Sequence, residues 1–158
     1  MPMKAATVQE IKQELSSLKQ QELITICLRL ARFKKENKEL LTYILFEASD
    51  EQGYIKGIKS EIDEQMEAIN KSHIYFAKKS IRKILRLVNK YSRYSASKQT
   101  EVELLIYFCQ KLKGSGIPLN KNLALKKLYE NQLAKVKKLM LTLHEDIQYD
   151  LNRELEEL

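Results

Sequence analysis

Residues 72–95 read SHIYFAKKSIRKILRLVNKYSRYS, and the spacing within this stretch decides the fold class. Projected at about 100° per residue, Lys71, Tyr75, Lys78, Lys79, Arg82, Lys83, Arg86, Lys90 and Arg93 fall on one side. Ile74, Ala77, Ile81, Ile84, Leu85, Leu87, Val88 and Tyr91 fall on the other. That division predicts a long amphipathic helix with one face in a core and a strongly basic face outside it.

The same period continues on both sides. Upstream, Ile55, Ile58, Ile62, Met66 and Ile69 step by three or four. Downstream, Val102, Leu105, Ile106, Cys109 and Leu112 mark a helix over 98–113. Gly114-Ser115-Gly116-Ile117-Pro118 breaks the pattern, since neither glycine nor proline continues a helix. Beyond it, Asn120 is placed to cap a final stripe of Leu125, Tyr129, Val136, Met140, Leu143, Ile147, Leu151 and Leu155. Nothing within that stripe is Gly or Pro, so 121–157 reads as one long helix or as two with a soft bend.

Toward the N-terminus, Thr7 followed by Glu10 is a capping-box signature. Ser17 with Gln20 repeats the start signal and predicts a second helix to Phe33, with Leu23, Ile24, Ile26, Cys27, Leu28 and Leu30 as a broad apolar face. Lys34 to Lys38 reads as a polar break, Glu39 to Ala48 as a third helix, and Ser49 to Gly53 as a turn. With 4 Gly and 2 Pro in 158 residues, the chain lacks the turn residues a β-rich fold needs. No fixed-period repeat is present. The expectation is an all-α fold: a single domain over 1–158, with six to eight helices in antiparallel hairpins forming a bundle or a short α-solenoid.

The net charge of +7 is concentrated. Residues 68–100 hold 9 basic side chains and no acidic one, whereas residues 144–158 hold 1 basic and 6 acidic. The candidate face for an anionic partner is therefore Lys78, Lys79, Arg82, Lys83, Arg86, Lys90 and Arg93. Nucleic acid would meet this face with salt-dependent affinity, and Tyr75, Tyr91 and Tyr94 would add stacking if they reach the surface. The competing expectation is a solvated stripe paired within the molecule. Its partners would be Glu61, Asp63, Glu64 and Glu67, or the acids of the C-terminal segment (Glu145, Asp146, Asp150, Glu154, Glu156 and Glu157). Exposure and the position of those acids discriminate the two.

No constellation points to catalysis, metal or cofactor. His144-Glu145-Asp146-Ile147-Gln148 opens like a zincin helix but has Gln where the second His must stand. His73 has Asn70 and Ile69 at the positions where a di-iron bundle needs a carboxylate. Cys27 and Cys109 lie in apolar helical patterns and are expected as buried, reduced thiols. Tyr43, Tyr107 and Tyr129 lie in apolar stripes and are expected in the core.

The pattern Leu15-Ser16-Ser17-Leu18 through Glu22-Leu23 to Glu36-Asn37-Lys38-Glu39-Leu40-Leu41 is followed near the end by Leu143-His144-Glu145-Asp146-Ile147-Gln148-Tyr149-Asp150. It resembles an uncharacterised family of small bacterial all-helical proteins. The resemblance implies a single helical domain in a bacterial cytoplasm and brings no activity or binding residue with it. The sequence has no apolar stretch of signal-peptide or membrane-spanning length, so a cytoplasmic location is expected. The functional expectation is a non-enzymatic helical interaction or adaptor module that binds another macromolecule, in the first place a protein, with a homodimer as one option. The alternative is nucleic-acid binding through the basic face of the helix at about 72–95.

Overall fold

The computed structural model describes residues 1–158, of which 78% are helical, in eight helices with no strand. The fold is the all-α bundle that the periodicity predicts. Its helices are α1 (Val8–Ser16), α2 (Gln20–Phe33), α3 (Lys35–Thr42), α4 (Glu51–Glu67), α5 (Ile74–Ser95), α6 (Lys98–Lys113), α7 (Leu123–Met140) and α8 (Glu145–Glu156). A π-helical turn covers Tyr43–Glu47 and a 3-10 turn Leu119–Lys121. The chain divides into two compact units, Met1–Leu45 and Phe46–Leu158.

In Phe46–Leu158 the core is built around α6. Val102, Leu104, Leu105, Ile106, Phe108, Cys109 and Leu112 are buried and cover a broad arc of that helix, with Glu103, Tyr107, Gln110 and Lys111 half-buried on the other side. An apolar arc that broad needs more than one neighbour to cover it, and α6 packs on α4, α5, α7 and α8. Polar pairs give the direction of each neighbour. Glu51 at the start of α4 accepts hydrogen bonds from Ser95 at the end of α5 and from Thr100 at the start of α6. Further along, the Tyr54 hydroxyl donates to the Tyr91 carbonyl, Lys59 meets Glu103, and Asp63 meets Tyr107. Thus α4 runs against α5 and along α6. Lys135, near the end of α7, pairs with Glu101 at the start of α6. Lys113, at the end of α6, donates to the carbonyls of Glu157 and Leu158 after α8. The five helices run alternately up and down, as antiparallel hairpins.

Local chemistry sets the boundaries. The Asp50 side chain caps α4 by accepting from the Gly53 N–H, and Ser97 caps α6 by accepting from Thr100 N–H. Only Ala96 and Ser97 separate α5 from α6. Ala96 takes the left-handed conformation, φ 56°, that this tight reversal requires, at roughly 1 kcal/mol for a residue with a Cβ. The stretch 121–157 is two helices, and its cap is Asn122 rather than Asn120: the Asn122 side chain accepts from Leu125 N–H. The second helix begins where His144 Nδ1 accepts from Asp146 N–H. His144, singled out in the sequence as half of a zincin pair, is a helix cap.

In Met1–Leu45 the Thr7–Glu10 capping box forms as predicted, with Glu10 accepting from both the N–H and the hydroxyl of Thr7. Those bonds hold the Glu10 carboxyl below its ordinary range. Ser17 does not start α2. Its hydroxyl donates back to Glu14 O as α1 ends, and α2 begins after Lys19, whose N–H donates to Glu22. The break before α3 is the single extended residue Lys34, not the whole of Lys34–Lys38. Asn37 makes so short a break possible, because its amide donates to the Leu30 carbonyl at 2.8 Å and ties the first turn of α3 to the end of α2. None of α1, α2 or α3 contains a fully buried residue. The expected apolar face of α2 is mostly open: Leu23 is half-buried, but Ile24, Ile26, Leu28 and Leu30 are exposed, as is Cys27. Cys27 therefore departs from the buried thiol its pattern predicts.

Candidate functional site

The candidate face lies on α5, whose position follows from its two-sidedness. Ala77, Ile81, Ile84 and Val88 are buried in the core, which fixes the rotation of the helix and turns the cations outward. Lys79, Arg82, Lys83, Arg86 and Arg93 are exposed, and Lys78 is half-buried. At the rise of a helix, Lys78 to Arg93 spans ~22 Å.

Of the acids that were the alternative partners, Asp63 and Glu61 are engaged elsewhere, and none forms an ion pair with this stripe. Asp63 pairs with Lys111 of α6 at 2.9 Å and accepts from the Tyr107 hydroxyl. Glu103 pairs with Lys59, Glu101 with Lys135, and Glu61 accepts from Gln65. None of Lys78, Lys79, Arg82, Lys83, Arg86 and Arg93 makes an ion pair. The first turn of α5 adds to the same polarity. It holds no acidic residue, and its N-cap His73 makes no side-chain bond to it.

The seven predicted residues do not act as one set. Lys78, Lys79, Arg82 and Arg86 line a single shallow hollow together with Tyr75. Lys83 and Arg93 are exposed beside it. Lys90 is half-buried, with its ammonium 5.1 Å from the centre of the Tyr91 ring. The three tyrosines divide in the same way. Tyr75 is 66% exposed, whereas Tyr94 is buried. Tyr91 is half-buried and packs edge-to-face on both Tyr54 and Tyr94. Of the predicted stacking rings only Tyr75 reaches the surface, and it is joined by Phe76, 50% exposed, which the helical projection did not include. The signal was available: at 100° per residue Phe76 lies on the border beside Lys83 and outside the apolar arc.

A second group of cations was missed. Arg32, Lys34, Lys35 and Lys38 line a hollow with Leu28 and Ala31. Counting charge over a long N-terminal window averages these residues against acids before and after them. A shorter window over 32–38 would have found them. Beside them α2 and α3 form an open apolar groove lined by Cys27, Leu30, Ala31, Leu40, Leu41 and Ile44.

The other polar cluster, Asp63, Tyr107 and Lys111, joins α4 to α6. Burial pushes the Asp63 carboxyl up, but the bonds from Lys111 and Tyr107 outweigh it and hold the group below its usual 3.8. Asp63 in turn raises Lys111, while burial and then Asp63 raise Tyr107. Cys109 is pushed up to about 12 by burial. Tyr107 and Tyr129 are half-buried against the core, as expected. Nowhere do three or more His, Cys, Asp or Glu side chains come together as metal ligands. No helix is long and apolar enough to cross a membrane. No protein-family model, curated protein or solved structure matches the chain.

Proposed function

We propose that this protein is a helical interaction module, not an enzyme, whose α5 face binds nucleic acid in the cytoplasm. One observation carries the reading: six cations of a single helix face the solvent side of the bundle without an ion pair. An uncompensated basic stripe of this kind raises the local concentration of polyanions and binds them by releasing their condensed counterions. The apolar side of α5 is held in the core, which argues against a bilayer as the partner, since an interfacial helix must give that side to the lipid. In the sequence a protein partner ranks ahead of nucleic acid. The order reverses because none of the acids expected beside the stripe forms an ion pair with it, and Asp63 pairs with Lys111 instead.

The test is fluorescence anisotropy with labelled DNA and RNA across a salt series, on the wild type and on Lys79→Glu/Arg82→Glu/Lys83→Glu/Arg86→Glu. The expected result is binding that weakens steeply with salt in the wild type, and a variant whose log–log salt slope is smaller by about 3. Absence of binding at low ionic strength, where such attraction is strongest, overturns the reading.

A second reading, a protein-binding adaptor, rests on the other unit. Ile24, Ile26, Leu28, Leu30 and Phe33 of α2 are exposed beside the open α2–α3 groove, and apolar surface of this kind marks protein contacts, a second copy included. Sedimentation velocity across a concentration series reads self-association directly. A monomer at all concentrations removes the homodimer.

A further inference from the structure

We infer that the α5 face is built for a single strand of nucleic acid, with Tyr75 and Phe76 as a platform for unpaired bases; this rests on the nucleic-acid reading above. Two large aromatic rings stand in the open at the start of α5, 66% and 50% exposed. They belong to a helix in which Ala77, Ile81, Ile84 and Val88 are buried, and only Ile74 beside them, 40% exposed, is another exposed apolar residue. Folding therefore does not account for their presence at the surface. Tyr75 lies in the middle of the basic arc, and it lines the same hollow as Lys78, Lys79, Arg82 and Arg86.

The rings are held but not covered. Tyr75 meets Phe76 with centroids 5.4 Å apart and planes at 75°, and Phe76 meets His73 at 5.9 Å in the same manner. Edge-to-face contacts orient the rings while using an edge of one against a face of the other, so faces remain for a base. A phosphate backbone running along the ~22 Å of cations places bases at the aromatic end. Only unpaired bases can leave their own stack to reach those rings, whereas in a duplex each base is already stacked and paired. This combination of a cationic track and stacking rings is the recurrent solution for single strands, tolerant of sequence because every base has a π-face.

The experiment compares oligouridine and oligothymidine with a duplex of equal length, and includes vesicles of phosphatidylcholine with phosphatidylserine. The proteins are the wild type, Tyr75→Ala/Phe76→Ala, Tyr75→Phe and the four-site charge reversal. All substituted positions are exposed or half-buried, and circular dichroism checks each fold. Single strands are expected to bind more tightly than the duplex. Tyr75→Ala/Phe76→Ala should weaken single-strand binding about tenfold or more while leaving the salt slope and duplex binding unchanged. Tyr75→Phe, which keeps the ring, should bind as wild type.

Equal affinity for duplex and single strand, or no effect of the double alanine variant, overturns the stacking platform. If charge reversal still abolishes that binding, the nucleic-acid reading stands. Binding to the anionic vesicles alone, lost in the alanine variant, overturns both in favour of a lipid surface. No binding to any of the three probes at low salt overturns both as well.

Discussion

Helices α2 and α5 carry the same kind of sequence pattern and meet opposite fates. Each has apolar residues at helical spacing, and each has a polar or basic remainder. In α5 the apolar side is buried in the core and the basic side is left outside. In α2 no residue is fully buried, with Leu30 54% and Phe33 76% exposed. The difference lies in what each helix has to pack on. α5 lies against α6, whose broad buried arc receives several partners at once. Within its unit α2 packs on α3, a helix of 8 residues. A two-helix contact of that size removes little area from water, and burial stabilises in proportion to area. Amphipathicity thus specifies a helix and a preferred side, while a third surface decides whether that side is a core or an exposed face.

The two cysteines give the largest expected contrast. Cys109 is fully buried in α6, and its thiol is pushed up to about 12, whereas Cys27 is exposed on α2. A thiol-labelling reagent should modify Cys27 at once. Cys109 should wait for opening of the core, slower by on the order of a thousandfold or more given the stability of buried helices. Equal rates without denaturant would mean that α6 is not the sealed centre of its bundle. Next in size come paired core deletions. Ile84→Ala empties a buried site on α5 and should destabilise by ~2–5 kcal/mol. Leu30→Ala on α2 should change stability by no more than ~0.5 kcal/mol, the scale of surface positions. Urea denaturation of both variants reads the difference, and similar losses would place Leu30 in a core after all.

Much of this was legible in the sequence, and the failures have physical reasons. The all-helical class, the order of the helices, the rotation of α5 and its basic face follow from period and charge, which are local properties. The capping box at Thr7 and Glu10 was legible for the same reason. Ser17 was misread because a hydroxyl that can cap the next helix can equally donate back into the previous one, and only backbone geometry chooses between them. The division of 121–157 carries no Gly or Pro. It depends on His144 acting as a cap, a role the residue type does not advertise. The apolar neighbours of Cys27 point to a core, and the pattern could not reveal that α2 packs mainly on the short α3 and leaves Cys27 exposed. The open state of the basic stripe depended on Asp63 choosing Lys111 over α5, a tertiary fact outside any helical wheel.

That choice is itself testable, and its effect is the smallest of the set. Asp63 has a folded-state pKa below its ordinary 3.8. A carboxyl depressed on folding contributes stability that is fully present above its unfolded value and lost as pH falls through the folded one. The contribution of this cluster should therefore begin to fade as the pH drops past 3.8 and be gone once the folded carboxyl is protonated. The alkaline side has the opposite sign. Lys111 and Tyr107 are raised above 10.5 and 10.0, so what they add is complete below those values and is lost as pH rises through the folded ones. Asp63 and Lys111 are both about a third or more exposed, and solvent screens such pairs to ~0.5 kcal/mol. Asp63→Asn should lower stability by about that much near neutrality and by progressively less as the wild-type carboxyl takes up its proton. If the gap between wild type and Asp63→Asn stays constant from neutral pH into the acid range, Lys111 is not what holds Asp63. The acids of α4 would then be available to the α5 stripe, and the premise of an uncompensated basic face would fail with them.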